Sequence, residues 1–142
     1  MPEVYVSAII DASLEKVWEV IRDFNALPHW HPLVATSRIE DDRPADAIGC
    51  IRNFQVAGSG ETIREQLLAL SEVEHFYTYS ILESPLPVKD YVATLRLRRI
   101  TTTGQTFAEW QSKFETPPGD EELGCDLVKN IYEGGLASIA TS

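Results

Sequence analysis

The chain opens with the run VYVSAII at residues 4–10, rich in β-branched and aromatic residues and stopped by Asp11, which predicts a short strand. The period then changes. Leu14, Val17, Trp18, Ile21 and Phe24 recur at helical spacing, with Ser13 placed as N-cap and Glu15 in the first turn, so one apolar stripe should enter a core. The segment LPHWHP follows at residues 27–32. Its prolines lack backbone N–H groups and bias the residues before them away from helix, which predicts that they end the first helix in a corner or a single short turn.

From Val34 to Thr116 apolar residues fall in short runs of period two, predicting antiparallel strands at 34–40, 50–56, 61–70, 76–83, 91–100 and 106–114. The separators DDRPAD, AGSG, SEVEH, SPLPVKD and TTTG carry the Gly, Pro, Asp and Ser that turns require. ETIREQLLAL contains good helix formers, but AGSG sets it up as the hairpin partner of CIRNFQV. Alternation assigns the faces. Ala108, Trp110, Ser112 and Phe114 share an inner side, as do Tyr91, Ala93, Leu95 and Leu97, and as do Tyr77, Tyr79 and Ile81.

If Gly58 and Ser59 form the turn, Ala57 pairs with Gly60 and Arg52 lies opposite Glu65. Ile63, Glu65, Leu67 and Ala69 then share a face, and with the apolar set inward the two charges point inward together. A buried pair gives up hydration that its attraction barely restores, and so marks a polar pocket. The alternative is an exposed cross-strand ion pair worth under ~1 kcal/mol.

After ETPPGDEE, the residues Leu123, Leu127, Val128, Ile131, Tyr132, Gly135 and Ile139 fall near one face of a long C-terminal helix, with Asp120, Glu121 and Glu122 at its positive end. Gly124, Gly134 and Gly135 each weaken a helix interior by up to ~1 kcal/mol, and either permit close packing or leave space beneath it. The order strand, helix, corner, six strands, long helix describes an α+β fold: a curved antiparallel sheet covered by helices on one side.

Composition narrows the partners. The 142 residues fit one domain spanning 1–142, and a net charge of -10 repels phosphate backbones and anionic membrane surfaces, so nucleic acid is not an expected partner. Cys50 and Cys125 are far apart and neither has a CxxC partner, which argues against a disulfide framework or zinc site. No apolar run approaches the ~18 residues of a spanning helix, and the N-terminus lacks a signal-peptide pattern. A soluble cytoplasmic protein without membrane insertion is expected.

The stretches ASLEKVWEVIRDF, LPHWHP, GCIRNF with IREQLL, YTYSILESPLPVKDY and WQSKFE before a long helix together resemble the polyketide cyclase/dehydrase-like group of the SRPBCC superfamily, which also holds START lipid-transfer domains and birch-pollen-allergen-like proteins. The resemblance covers nearly the whole chain and rests on the order of its motifs. It implies a helix-grip fold: a seven-stranded antiparallel sheet wrapped around the C-terminal helix, two short helices between strands 1 and 2, and an internal cavity. It implies far less about function, since one cavity scaffold serves carriers, receptors and enzymes.

Two readings of the site follow. Trp30, His31, Arg52, Glu65, Tyr79, Tyr91 and Trp110 are the residues expected to line a pocket for a small hydrophobic, polyketide- or lipid-like molecule, with the two prolines of ESPLPVKDY as a semi-rigid gate. Alternatively, His31 or Glu65 serves as a base with Arg52 holding developing negative charge, in a cyclase or dehydratase type of enzyme. Binding is favoured, because no nucleophile motif such as G-x-S-x-G occurs. His29 and His31 lack further ligands nearby, so no metal is expected, and no cofactor either. His75 belongs to an acidic turn on the surface. Ligand identity and oligomeric state, a homodimer included, stay open.

Overall fold

The computed structural model describes residues 2–141. The strands are β1 (Glu3–Ile10), β2 (Val34–Ile39), β3 (Ile51–Val56), β4 (Thr62–Ser71), β5 (Phe76–Glu83), β6 (Lys89–Arg99) and β7 (Thr106–Glu115). They form one seven-stranded antiparallel sheet in the order β1-β7-β6-β5-β4-β3-β2. Helices α1 (Leu14–Ile21) and α2 (Leu27–Trp30) carry the chain from one edge strand to the other, and α3 (Glu121–Thr141) lies along β1 and touches β7 and α2. This is the helix-grip arrangement.

Local chemistry explains the crossing. Ser13 caps α1 through its hydroxyl, which accepts from the Lys16 N–H at 3.3 Å, and Leu14, Val17, Trp18 and Ile21 are buried beneath it. Pro28 does not end α1, which stops at Ile21. It sits in the first turn of α2, where a missing N–H costs nothing. Pro32 does the stopping: His31 before it is extended, at φ -101° and ψ 118°.

The face assignments hold for β5, β6 and β7, whose inner residues Tyr77, Tyr79, Tyr91, Ala93, Leu95, Leu97, Ala108, Trp110 and Phe114 are buried. The hairpin loop is longer than a two-residue turn, spanning residues 57–60, and Val56 N–H bonds Glu61 C=O at 2.8 Å. The register is unaffected, and Arg52 pairs with Glu65. Strand β4 departs from simple alternation. A bulge between Leu67 and Ala69 shifts the pairing, so that Leu70, not Ala69, comes opposite the buried Tyr77 and packs on the core. On α3 the stripe members Val128, Tyr132, Gly135 and Ile139 are buried together with Leu136; Leu127 and Ile131 are half-buried against the pocket, and Leu123 departs from the expectation by being exposed. A Cβ on Gly135 would lie 2.8 Å from both His31 Cδ2 and Trp110 Cζ3, so the glycine lets the helix backbone sit directly on these rings.

Candidate functional site

Between the inner face of the sheet and one flank of α3 lies a partly open pocket of about 250 Å³. Phe54, Ile63, Ile81, Leu127 and Ile131 are among its apolar walls, and Pro85 and Leu86 of the β5–β6 loop reach its edge. Of the residues expected to line it, His31, Arg52, Glu65, Tyr79, Tyr91 and Trp110 do so. Trp30 does not. It is buried behind the wall, its ring centroid 5.8 Å from that of Trp110, and its indole N–H has no partner among the described residues.

Arg52 and Glu65 are paired and buried. The guanidinium donates from Nε at 2.8 Å and Nη2 at 2.7 Å, both to Glu65 Oε1, and from Nη1 to the Phe24 carbonyl at 3.0 Å. Its plane is flanked by aromatic rings, Phe24 at 4.0 Å and Tyr79 at 4.9 Å from Cζ, which stabilise the cation further. Burial works against the charge on Arg52, but Glu65 and the neighbouring tyrosines more than offset it, so the guanidinium stays protonated. Burial raises the Glu65 carboxyl, with Arg52 opposing. Glu65 Oε2 has no protein donor among the described residues, and Glu65 lines the pocket.

The imidazole of His31 faces inward. The Leu33 backbone N–H donates to Nδ1 at 3.2 Å, which obliges Nδ1 to be the acceptor, so Nε2 carries the proton and donates to the Ile131 carbonyl of α3 at 2.9 Å. Burial, only partly opposed by the bond to Ile131, lowers its pKa to about 4, and Arg52 adds to the lowering. His31 is therefore a neutral clamp between α2 and α3. Both ring nitrogens are committed, which removes it as a general base in this state.

A second polar group lies among the aromatics. Trp110 Nε1 donates to the Tyr79 hydroxyl at 3.1 Å, Trp110 stacks on Tyr132 with centroids 4.4 Å apart, and the Tyr91 and Tyr132 hydroxyls bond each other. Burial pushes the tyrosine hydroxyls at 79, 91 and 132 up, so they stay protonated and can donate but carry no charge. Tyr132 was not among the expected site residues; its place at helical spacing from Val128 marked it as core, and its contacts with Tyr91 and Trp110 join it to the site.

His29 and His75 lie outside this group. His75 is half-buried with its ring edge-on to Trp18, centroids 5.4 Å apart. Among the described residues no cluster of three or more His, Cys, Asp or Glu side chains could hold a metal ion, and no helix is long and apolar enough to cross a membrane.

A family model described as polyketide cyclase/dehydrase and lipid transport matches residues 1–142. Comparison with curated proteins found no match. Among solved structures, an uncharacterized protein from Bacillus thuringiensis is 31% identical with a TM-score of 0.89, covering 99% of this chain and 97% of that one. The protein XoxI from Bacillus cereus is 30% identical with a TM-score of 0.89, covering 99% and 94%. A protein from Nitrosospira multiformis is 29% identical with a TM-score of 0.87, again covering 99% and 94%.

Proposed function

Because the chain belongs to the polyketide cyclase/dehydrase and lipid transport family, we propose that it binds a small hydrophobic or aromatic molecule between the sheet and α3. The observation that carries this reading is an apolar pocket of about 250 Å³ with one buried ion pair in its wall. Such a combination gives a ligand apolar contact over most of its surface and a few polar atoms to orient it. Size narrows the class. An apolar cavity of ~150 Å³ holds benzene and drug-sized ligands need roughly 300 Å³ or more, so the pocket suits one or two rings or a short acyl chain.

His31, Arg52, Glu65, Tyr79, Tyr91 and Trp110 form the contact set, and Trp30 supports Trp110 from behind. The test is native mass spectrometry of protein purified from its own host, followed by titration with a panel of small aromatics and short-chain lipids. A bound, chemically unaltered molecule is expected. Failure to retain any ligand and to bind any panel member refutes the reading.

A second reading, acid-base chemistry of the cyclase or dehydratase type, draws on Glu65. Its carboxyl is raised by burial, it lines the pocket and one oxygen has no protein donor among the described residues, which suits a base. His31 does not serve in this role. Recovery of a ligand converted to product by the wild type and left unconverted by Glu65→Gln would favour the second reading.

A further inference from the structure

The charge balance around the pocket sorts ligands more finely than its shape does. Arg52 is the only cation among the lining residues, and it is already engaged by Glu65 Oε1 and the Phe24 carbonyl. Glu65 Oε2 remains an acceptor without a protein donor among the described residues. A second carboxylate, Glu61, is exposed and also lines the pocket, while the whole chain carries a net charge of -10. A carboxylate ligand would meet a neutralised cation, an open anionic oxygen and a negative field. The Tyr79 and Tyr91 hydroxyls can donate to a carbonyl, but neither supplies the positive charge that an anion needs.

We infer that the pocket selects a neutral or singly cationic molecule of one or two rings whose hydroxyl or amino group donates to Glu65 Oε2, and that it rejects carboxylates of the same skeleton. The inference rests on the binding reading above and adds the polarity of the ligand's polar end. A donor to a carboxylate in a largely apolar pocket gains a charge-assisted hydrogen bond, whereas a ligand carboxylate there loses hydration without compensation. Glu65 is thus the specificity-determining residue, and Arg52 holds it in place.

A matched naphthalene series tests this: 2-naphthol, 2-naphthylmethylamine, 2-methylnaphthalene and 2-naphthoate, titrated at pH 7 into the ¹⁵N-labelled full chain. The readout is the indole cross-peak of Trp110, which lines the pocket. The naphthol and the amine are expected to bind about tenfold more tightly than the methyl compound, and the naphthoate more weakly than all three. Glu65→Gln should reduce the preference for the amine. In case that variant does not fold, Glu61→Gln at the exposed rim should weaken the amine by about two- to threefold at low salt and less at high salt. Naphthoate binding as tightly as naphthol overturns the inference and leaves the binding reading standing. No response to any of the four at millimolar concentration overturns both.

Discussion

Replacing His31 with glutamine should make the protein less sensitive to mild acid. His31 is neutral in the folded state because Leu33 N–H occupies Nδ1 and burial lowers its pKa from 6.5 to about 4. Protonating Nδ1 would set an N–H against the Leu33 N–H. The unfolded chain therefore binds more protons than the folded one between these two values, and stability rises with pH. The His31 contribution is fully present above about pH 6.5 and is lost as pH falls toward 4. Between pH 7.5 and 5 the two pKa values imply a loss of about 2 kcal/mol, assigned to this one imidazole. Urea unfolding at both pH values, for the wild type and His31→Gln, isolates that term, because His29 and His75 are common to both proteins. The variant should start less stable at pH 7.5, having lost a well-placed clamp, yet lose about 2 kcal/mol less on acidification. Equal losses in the two proteins refute the reasoning, as would an imidazole titration midpoint near 6.5 for His31 by NMR.

Four further outcomes follow from the same contacts. Gly135→Ala should cost about 1–3 kcal/mol in chemical denaturation, since its Cβ would press on His31 and Trp110 at 2.8 Å, whereas Gly134→Ala meets no atom within 4 Å and should stabilise by up to ~1 kcal/mol. Arg52→Met alone should cost about 3–5 kcal/mol by stranding Glu65, while the double variant Arg52→Met/Glu65→Leu should recover most of that; no recovery would mean that the pair is not the reason for the loss. Glu40, whose carboxyl is held down to about 2 by bonds from Arg64 and then Asn53, should contribute stability above pH 4.5 that disappears as pH falls toward 2; acid unfolding followed by circular dichroism should be less steep there in Glu40→Gln, and identical profiles would refute the assignment. Tyr132→Phe should leave the sheet intact but weaken binding of any ligand that relies on the Tyr91 hydroxyl being oriented, which titration of the purified variant would reveal.

The period-two runs of β5, β6 and β7 were sufficient to say which side chains point inward, because a strand alternates its faces residue by residue whatever it packs against. The Arg52–Glu65 pairing was legible for a similar reason. Residues 57–60 reverse the chain locally, and strand register propagates from the turn. Helix α1 was legible in its cap and its stripe.

What the sequence could not reach depends on residues distant along the chain. The bulge between Leu67 and Ala69 in β4 shows only in the pairing with the neighbouring strand β5, and no turn residue announces it. The close approach of α3 depends on Gly135 meeting His31 and Trp110, residues far apart along the chain. Trp30 looked like a pocket residue by type, yet α2 points it behind Trp110, out of the lining. Most consequential is His31. Whether its imidazole was a base, a ligand group or a clamp turned on a carbonyl 100 residues away, at Ile131. Sequence by itself determined the elements, their faces and the opposed charges, since those follow from periodicity within a few residues. Only the tertiary structure decided which nitrogen holds the proton and which carboxylate oxygen stays open, because hydrogen-bond partners are assigned by packing across the sheet and α3.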